Sequence, residues 1–92
     1  MKVIWTKESL ETLDLIYEYI SKNSENPAEK VISQIIKSAN MNIKNFPHIG
    51  RAGRIFGTRE YVISEYPYVI IYAVRKNNVY IIRIMHSSIK YP

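Results

Sequence analysis

Apolar positions along the chain change period twice, and the changes mark its elements. Lys2-Val3-Ile4-Trp5 is β-prone and predicts a short first strand. Thr6 then stands where a helix N-cap is needed, with Glu8 and Glu11 in the first turns, where carboxylates favour the helix dipole. Leu10, Leu13, Tyr17 and Ile20 recur at helical spacing, widened by Ile16, and predict a helix to about Ser21. After a polar turn, Asn26-Pro27-Ala28-Glu29 reads as a helix start, with Asn as cap, Pro at the first helical position and Glu reaching back. Ala28, Ile32, Ile35, Ala39 and Ile43 continue that second stripe, which Pro47 ends at or before Phe46.

Beyond residue 50 the period falls to two. Arg59–Ile63 and Tyr68–Arg75 read as strands, and Lys76-Asn77-Asn78 as a tight turn whose asparagines tolerate positive φ. Val79–His86 follows as a strand apolar on both faces, as expected of a central one. Simple alternation puts Val79, Ile81, Arg83 and Met85 on one face, and Tyr80, Ile82, Ile84 and His86 on the other. It likewise groups Tyr68, Ile70, Tyr72 and Val74. Between helix and strand lies Pro47–Gly57, a basic loop or loosely paired strand with three glycines. The order is β-α-α-β-β-β, an α+β fold with a two-helix hairpin on one face of a small, mainly antiparallel twisted sheet.

Ninety-two residues make one domain, 1–92, able to hold a core without staples. Without cysteine and with only His48 and His86, a disulfide framework or a zinc site is not expected, and no cofactor is implied. No apolar run approaches the ~18 residues of a membrane span, and residues 1–5 lack a signal-peptide core, so a cytoplasmic protein that does not meet the membrane is expected.

Charge separates the halves. Residues 1–50 carry six basic and six acidic side chains. Residues 51–92 carry seven basic ones, all five arginines among them, against Glu60 and Glu65, so the net +5 lies entirely there. Guanidinium forks match phosphate and carboxylate, so this half is expected to meet an anionic partner. A metal-free phosphodiester site needs a base, an acid and a charge clamp. An imidazole, with an unperturbed pKa of roughly 6.5, serves as either acid or base. Arg59, Arg83 and His86 are therefore the catalytic candidates. Arg51, Arg54, Tyr72, Lys90 and Tyr91 are candidates for holding or stacking on a nucleic acid or other target. Each has a plainer reading. Arg83 would pair with Glu60 or Glu65, His86 would be hydrogen-bonded, and the tyrosines would be amphipathic core.

The ordered set Ile49-Gly50-Arg51, Gly53-Arg54, Gly57-Thr58-Arg59-Glu60, Pro67–Tyr72, Ile82–His86 and Lys90-Tyr91-Pro92 resembles the RelE/ParE superfamily of toxins. So does the Ile-Trp strand followed by a helix with Leu-x-x-Leu spacing. The resemblance implies the toxin of a type II toxin–antitoxin module, inhibiting growth until neutralised by a cognate acidic antitoxin, with operator DNA met only through the antitoxin complex. An antitoxin segment would dock on the first helix through Leu10, Leu13 and Tyr17, or on an open sheet edge.

Three functions follow from it. A ParE-like toxin acts on DNA gyrase without turning over a substrate, and its essential residues would be surface and C-terminal ones such as Lys90. A RelE-like toxin is a metal-independent, ribosome-dependent mRNA endoribonuclease using Arg83 and His86. A toxin-derived binding module would be non-toxic. Several nuclease members place an arginine where this chain has Val69, which favours the ParE-like side.

Overall fold

The computed structural model describes residues 1–23 and 26–88. It runs β1 (Val3–Trp5), α1 (Lys7–Asn23), α2 (Ala28–Lys37), a π-helical segment (Ser38–Ile43), β2 (Arg51–Ala52), β3 (Arg59–Val62), β4 (Tyr68–Arg75) and β5 (Asn78–His86). The strands form one sheet in the order β1-β5-β4-β3-β2. β1 runs parallel to β5, and the remaining neighbours are antiparallel. The fold is α+β with the helical hairpin on one face. The glycine-rich basic stretch supplies a fifth strand, β2, only two residues long.

Thr6 caps α1 and also ties it to the sheet. Its Oγ1 accepts from the Ser9 N–H at 3.2 Å and donates to the Ile81 carbonyl at 2.7 Å. The sheet-facing stripe is Ser9, Leu13 and Ile20, with Thr12 and Ile16 half-buried. Leu10 and Tyr17, expected on that stripe, are exposed. The helix is rotated so that Ser9 meets the sheet, which it does without an unpaired hydroxyl because its Oγ donates to the Thr6 carbonyl at 2.7 Å. The start of α2 also differs from expectation. Pro27 remains extended (ψ 122°) and occupies the N-cap, so the helix begins one residue later. Its carbonyl accepts from Lys30 and Val31, and Glu29 instead accepts from the Tyr17 hydroxyl at 3.1 Å, joining the two helices.

The second helix was expected to stay regular to about Phe46. It widens into a π-helix at Ser38, whose Oγ donates to the Gln34 carbonyl at 2.8 Å and competes with the α-helical ladder. Asn40 then accepts from Trp5 Nε1 at 3.1 Å and Asn42 donates to the Tyr61 hydroxyl at 3.0 Å. Both polar contacts hold the helix against the sheet.

Ile35, Ile43, Ile70 and Ile81 fill the centre of the core, each contributing roughly 1.5–3 kcal/mol by leaving water. Their alignment depends on a bulge in β5. Tyr72 pairs with Ile81 and Ile71 with Arg83, so Ile82 has no partner. Simple alternation therefore fails along β5. Val79, Ile81, Ile84 and His86 lie opposite Val74, Tyr72, Ile70 and Tyr68, on the helix-covered face. Tyr80, Arg83 and Met85 lie opposite Ala73, Ile71 and Val69, on the other. The grouping expected for β4 stands.

Candidate functional site

β1 covers only residues 79–81 of β5, and beyond it α1 takes the place of a neighbouring strand. There Thr12 Oγ1 accepts from the Ile84 N–H at 3.1 Å. A groove of about 500 Å³ follows this edge, lined by Thr12, Leu15, Tyr19, Tyr68, Arg83 and His86 among others. Arg83 and His86 reach it from opposite sides of the strand, because the bulge precedes both and leaves the alternation between them intact. Arg83 Nε lies 3.3 Å from Glu8 Oε2, without hydrogen-bond geometry. Its partner is thus a carboxylate of α1, not the expected Glu60 or Glu65. With both side chains roughly half exposed, the pair contributes under about 1 kcal/mol. His86 packs edge-on against Tyr68, ring centroids 5.4 Å apart. Its Nδ1 lies 3.2 Å from the Ser88 N and 2.7 Å from the Ser88 Oγ, which tie the ring to the end of the strand.

Arg59 lies opposite Tyr72 on the helix-covered face, whereas Arg83 lies opposite Ile71 on the other. The guanidinium of Arg59 donates to the carbonyls of Gly50 (2.8 Å) and His48 (3.3 Å). Tyr72, expected to stack on a nucleic acid, is fully buried, and this corrects that reading. Its hydroxyl accepts from the Gly50 N–H at 2.9 Å and donates to the Pro47 carbonyl at 2.8 Å. Burial pushes this phenol above its ordinary range, with the Gly50 N–H and the Arg59 charge pulling part of the way back. Arg59 and Tyr72 together therefore anchor the 47–50 segment. The three catalytic candidates do not meet around one point.

Glu60, expected only as a partner for Arg83, organises the other face. Its carboxylate is almost fully buried and accepts from Arg51 Nη2 (3.0 Å), Arg51 Nε (3.3 Å) and the Arg54 N–H (3.1 Å), with Arg54 Nε at 3.7 Å. Burial alone would raise its pKa. The Arg54 N–H, the Arg51 hydrogen bonds and the two positive charges outweigh burial and hold it below its ordinary value. The available signal was that Glu60 and Glu65 are the only carboxylates of an arginine-rich half.

Arg51 and Arg54 keep about half of their side-chain surface in solvent. Between them and β3 the chain turns tightly: Gly53 N–H donates to the Thr58 carbonyl (2.8 Å), and Thr58 N–H and Oγ1 donate to the Ile55 carbonyl (3.1 and 2.6 Å). Of the expected antitoxin contacts, Leu10 and Tyr17 are exposed, but Leu13 belongs to the core, where its side chain fills the contact with the sheet. Leu15 and Tyr19, missed in the sequence because they fall off the core stripe, are exposed on the groove side of α1. Lys90 and Tyr91 lie outside the described residues.

This arrangement of a helical hairpin on a mixed sheet is shared with solved toxin–antitoxin structures. The chain matches one from the chromosomal ParDE system of P. aeruginosa with a TM-score of 0.75 and 23% identity, covering 94% of this chain and 95% of that one. It matches one from the RelBE2 complex of Mycobacterium tuberculosis with a TM-score of 0.70 and 18% identity, over 92% and 88%. At these identities the likeness shows the fold.

Sequence relatives go further. Y4kP of Sinorhizobium fredii, named as a toxin, is 34% identical over 91 residues, 99% of this chain and 93% of its own. Toxin RelE2 of Caulobacter vibrioides is 33% identical over 87 residues, 95% and 96%. A family model described as the ParE toxin of the type II toxin–antitoxin system parDE matches residues 3–91, and the chain belongs to that family.

Proposed function

We propose that this toxin arrests growth by binding DNA gyrase, as one unit over residues 1–92, and that a cognate acidic antitoxin neutralises it. The observation that carries the reading is the dispersal of Arg59, Arg83 and His86. Arg59 is engaged by two backbone carbonyls on the helix-covered face, and Arg83 projects from the other face beside Glu8. Cleavage of a phosphodiester without a metal needs its base, acid and charge clamp around one phosphate. A toxin that acts by binding needs no such assembly. The groove along α1 and β5 supports the antitoxin part. It runs beside exposed Leu15 and Tyr19 of α1, with Arg83 on its wall facing an acidic segment.

The endoribonuclease reading draws its support from the same groove, since Arg83 and His86 both line it. Two parallel assays on purified protein separate the readings. One follows DNA supercoiling by gyrase, and the other maps mRNA cuts by primer extension in cell-free translation, with and without ribosomes. Inhibited supercoiling with intact mRNA, retained by His86→Ala, is the expected result. Cuts within codons that require ribosomes and vanish in His86→Ala would overturn it in favour of the nuclease. Protein that neither inhibits supercoiling, nor cuts, nor arrests cells would be a binding module.

A further inference from the structure

The hairpin between β2 and β3 ends in a feature that lies outside the groove along α1 and β5. Phe56 is wholly exposed, and Ile55 beside it is half exposed. An exposed Phe on a frayed loop would carry no meaning, but this tip is built. Thr58 closes it by three hydrogen bonds, and Gly57 adopts φ +82°, a conformation that costs other L-residues roughly 1 kcal/mol or more. Glu60 draws its base together through Arg51 and Arg54. The guanidinium of Arg75 lies against Gly57, where an added Cβ would stand 2.8 Å from its Nη2. Lys76 follows in the exposed β4–β5 turn at the same end of the sheet. Among residues 51–60 and 75–78, which form this end of β2, β3, β4 and β5, the one carboxylate, Glu60, is buried, so their outward charge is positive.

A convex apolar tip ringed by cations suits a polyanion with apolar surface between its charges. Nucleic acid has that chemistry, and the shape selects among its forms. Single strands are held in grooves lined with successive aromatic platforms, whereas this tip is a projection with one fully exposed ring. An A-form RNA duplex hides its bases in a groove too deep and narrow for side chains. B-form DNA admits a two-stranded ribbon and accepts apolar wedges between base steps. We propose that the β2–β3 hairpin is a duplex-DNA contact of the toxin itself, with Ile55 and Phe56 as an apolar wedge and Arg51, Arg54, Arg75 and Lys76 on the flanking phosphates.

The test uses the full chain, without gyrase or antitoxin, and fluorescence anisotropy of a labelled 20-base-pair DNA duplex at several salt concentrations. Contact of the four cations with one phosphate each gives a slope of log K against log salt of about −3.6. Phe56→Ala lowers affinity about tenfold, and Lys76→Gln makes the slope shallower by about one. Lys22→Gln, at the opposite end of the molecule, leaves both unchanged. Because Phe56 touches solvent only, its variant keeps the thermal unfolding midpoint, and a lost fold does not explain lost binding. Duplex binding indifferent to Phe56, preference for a single-stranded or RNA probe of equal length, or no binding at low salt would each overturn the proposal. A supercoiling defect in Phe56→Ala with DNA affinity intact would assign the tip to a protein partner instead. The DNA-binding outcomes do not depend on whether gyrase is the target; only the supercoiling readout does.

Discussion

Replacing Tyr72 by Phe removes one oxygen and two hydrogen bonds from the inside of the molecule. The ring stays, so the apolar contacts of this fully buried side chain are retained. What is lost is the acceptor for the Gly50 N–H, 2.9 Å away, and the donor to the Pro47 carbonyl, 2.8 Å away. Gly50 is itself buried, so its N–H has no route to water. An amide left unpaired in such a place costs about 1–3 kcal/mol. The Pro47 bond adds under about 1 kcal/mol, because that residue is half-buried and its carbonyl has a second lone pair.

Together these give a loss of about 2.5 kcal/mol. For a chain of 92 residues that lowers the unfolding midpoint by roughly 10–15 °C. Urea titration gives the free energy directly, and an unchanged m-value would show that the unfolded state is unaltered. Amide hydrogen exchange at Gly50 supplies the local readout, moving from protected to fast. A loss under about 0.5 kcal/mol with Gly50 still protected would refute the assignment of this tyrosine as the anchor of the 47–50 segment.

Three further outcomes follow from the same contacts. In Glu60→Gln an amide N–H₂ or a weaker acceptor faces the Arg51 and Arg54 donors, so about 2 kcal/mol should be lost at neutral pH by urea titration. Since the folded carboxyl has a lowered pKa, its stabilisation is present above the unfolded value and is lost as pH falls through the folded one. The gap between wild type and E60Q should therefore narrow in acid, and a gap independent of pH would be contrary. At the alkaline end, Tyr68 and Tyr72 hold their protons more tightly folded than unfolded. Their contribution is full below pH 10 and falls as pH rises through the folded values, by at most about 1.4 kcal/mol per pH unit each, and Tyr72→Phe should flatten part of that slope. Lys76→Gly should stabilise the hairpin by roughly 0.5–1 kcal/mol in thermal unfolding, since Lys76 sits at φ 49° in a two-residue turn whose other member, Asn77, has φ 63°.

The helical hairpin, β4 and the tight turn were legible because each carries a periodic pattern over many residues with a punctuating Pro or Asn. β2 stays open between a loop and a loosely paired strand, since a two-residue strand has no period. The π-helical segment was hidden because Ala39 and Ile43 keep a spacing that an α-helix would also bury. The bulge at Ile82 was hidden for a related reason. β5 is apolar on both faces, so slipping one residue exchanges one Ile for another and leaves no mark in the sequence. That one slip decides which side of the sheet Arg83 occupies relative to Ile81. Alternation already sets Arg83 and His86 on opposite faces, and which of those faces Arg59 shares depends on register, a property of strand pairs. Tyr72 illustrates the same limit. Its place on β4 was readable, but the Pro47–Gly50 segment that encloses it comes from 22 or more residues earlier.

The parallel pairing of β1 with β5 has a consequence for synthesis. Val3 pairs with Val79, so the first strand waits for the last before its backbone groups are satisfied. β5 also carries the contacts of β4 and α1, through Ile84 and Thr12 among others. A nascent chain that has not yet released residue 78 therefore has two helices and three further strands with nothing to join them to β1. Closure over so long a separation is slow, and the sheet closes only after β5 has been made. Through that interval the edge of β5, and with it the groove along α1, is still forming.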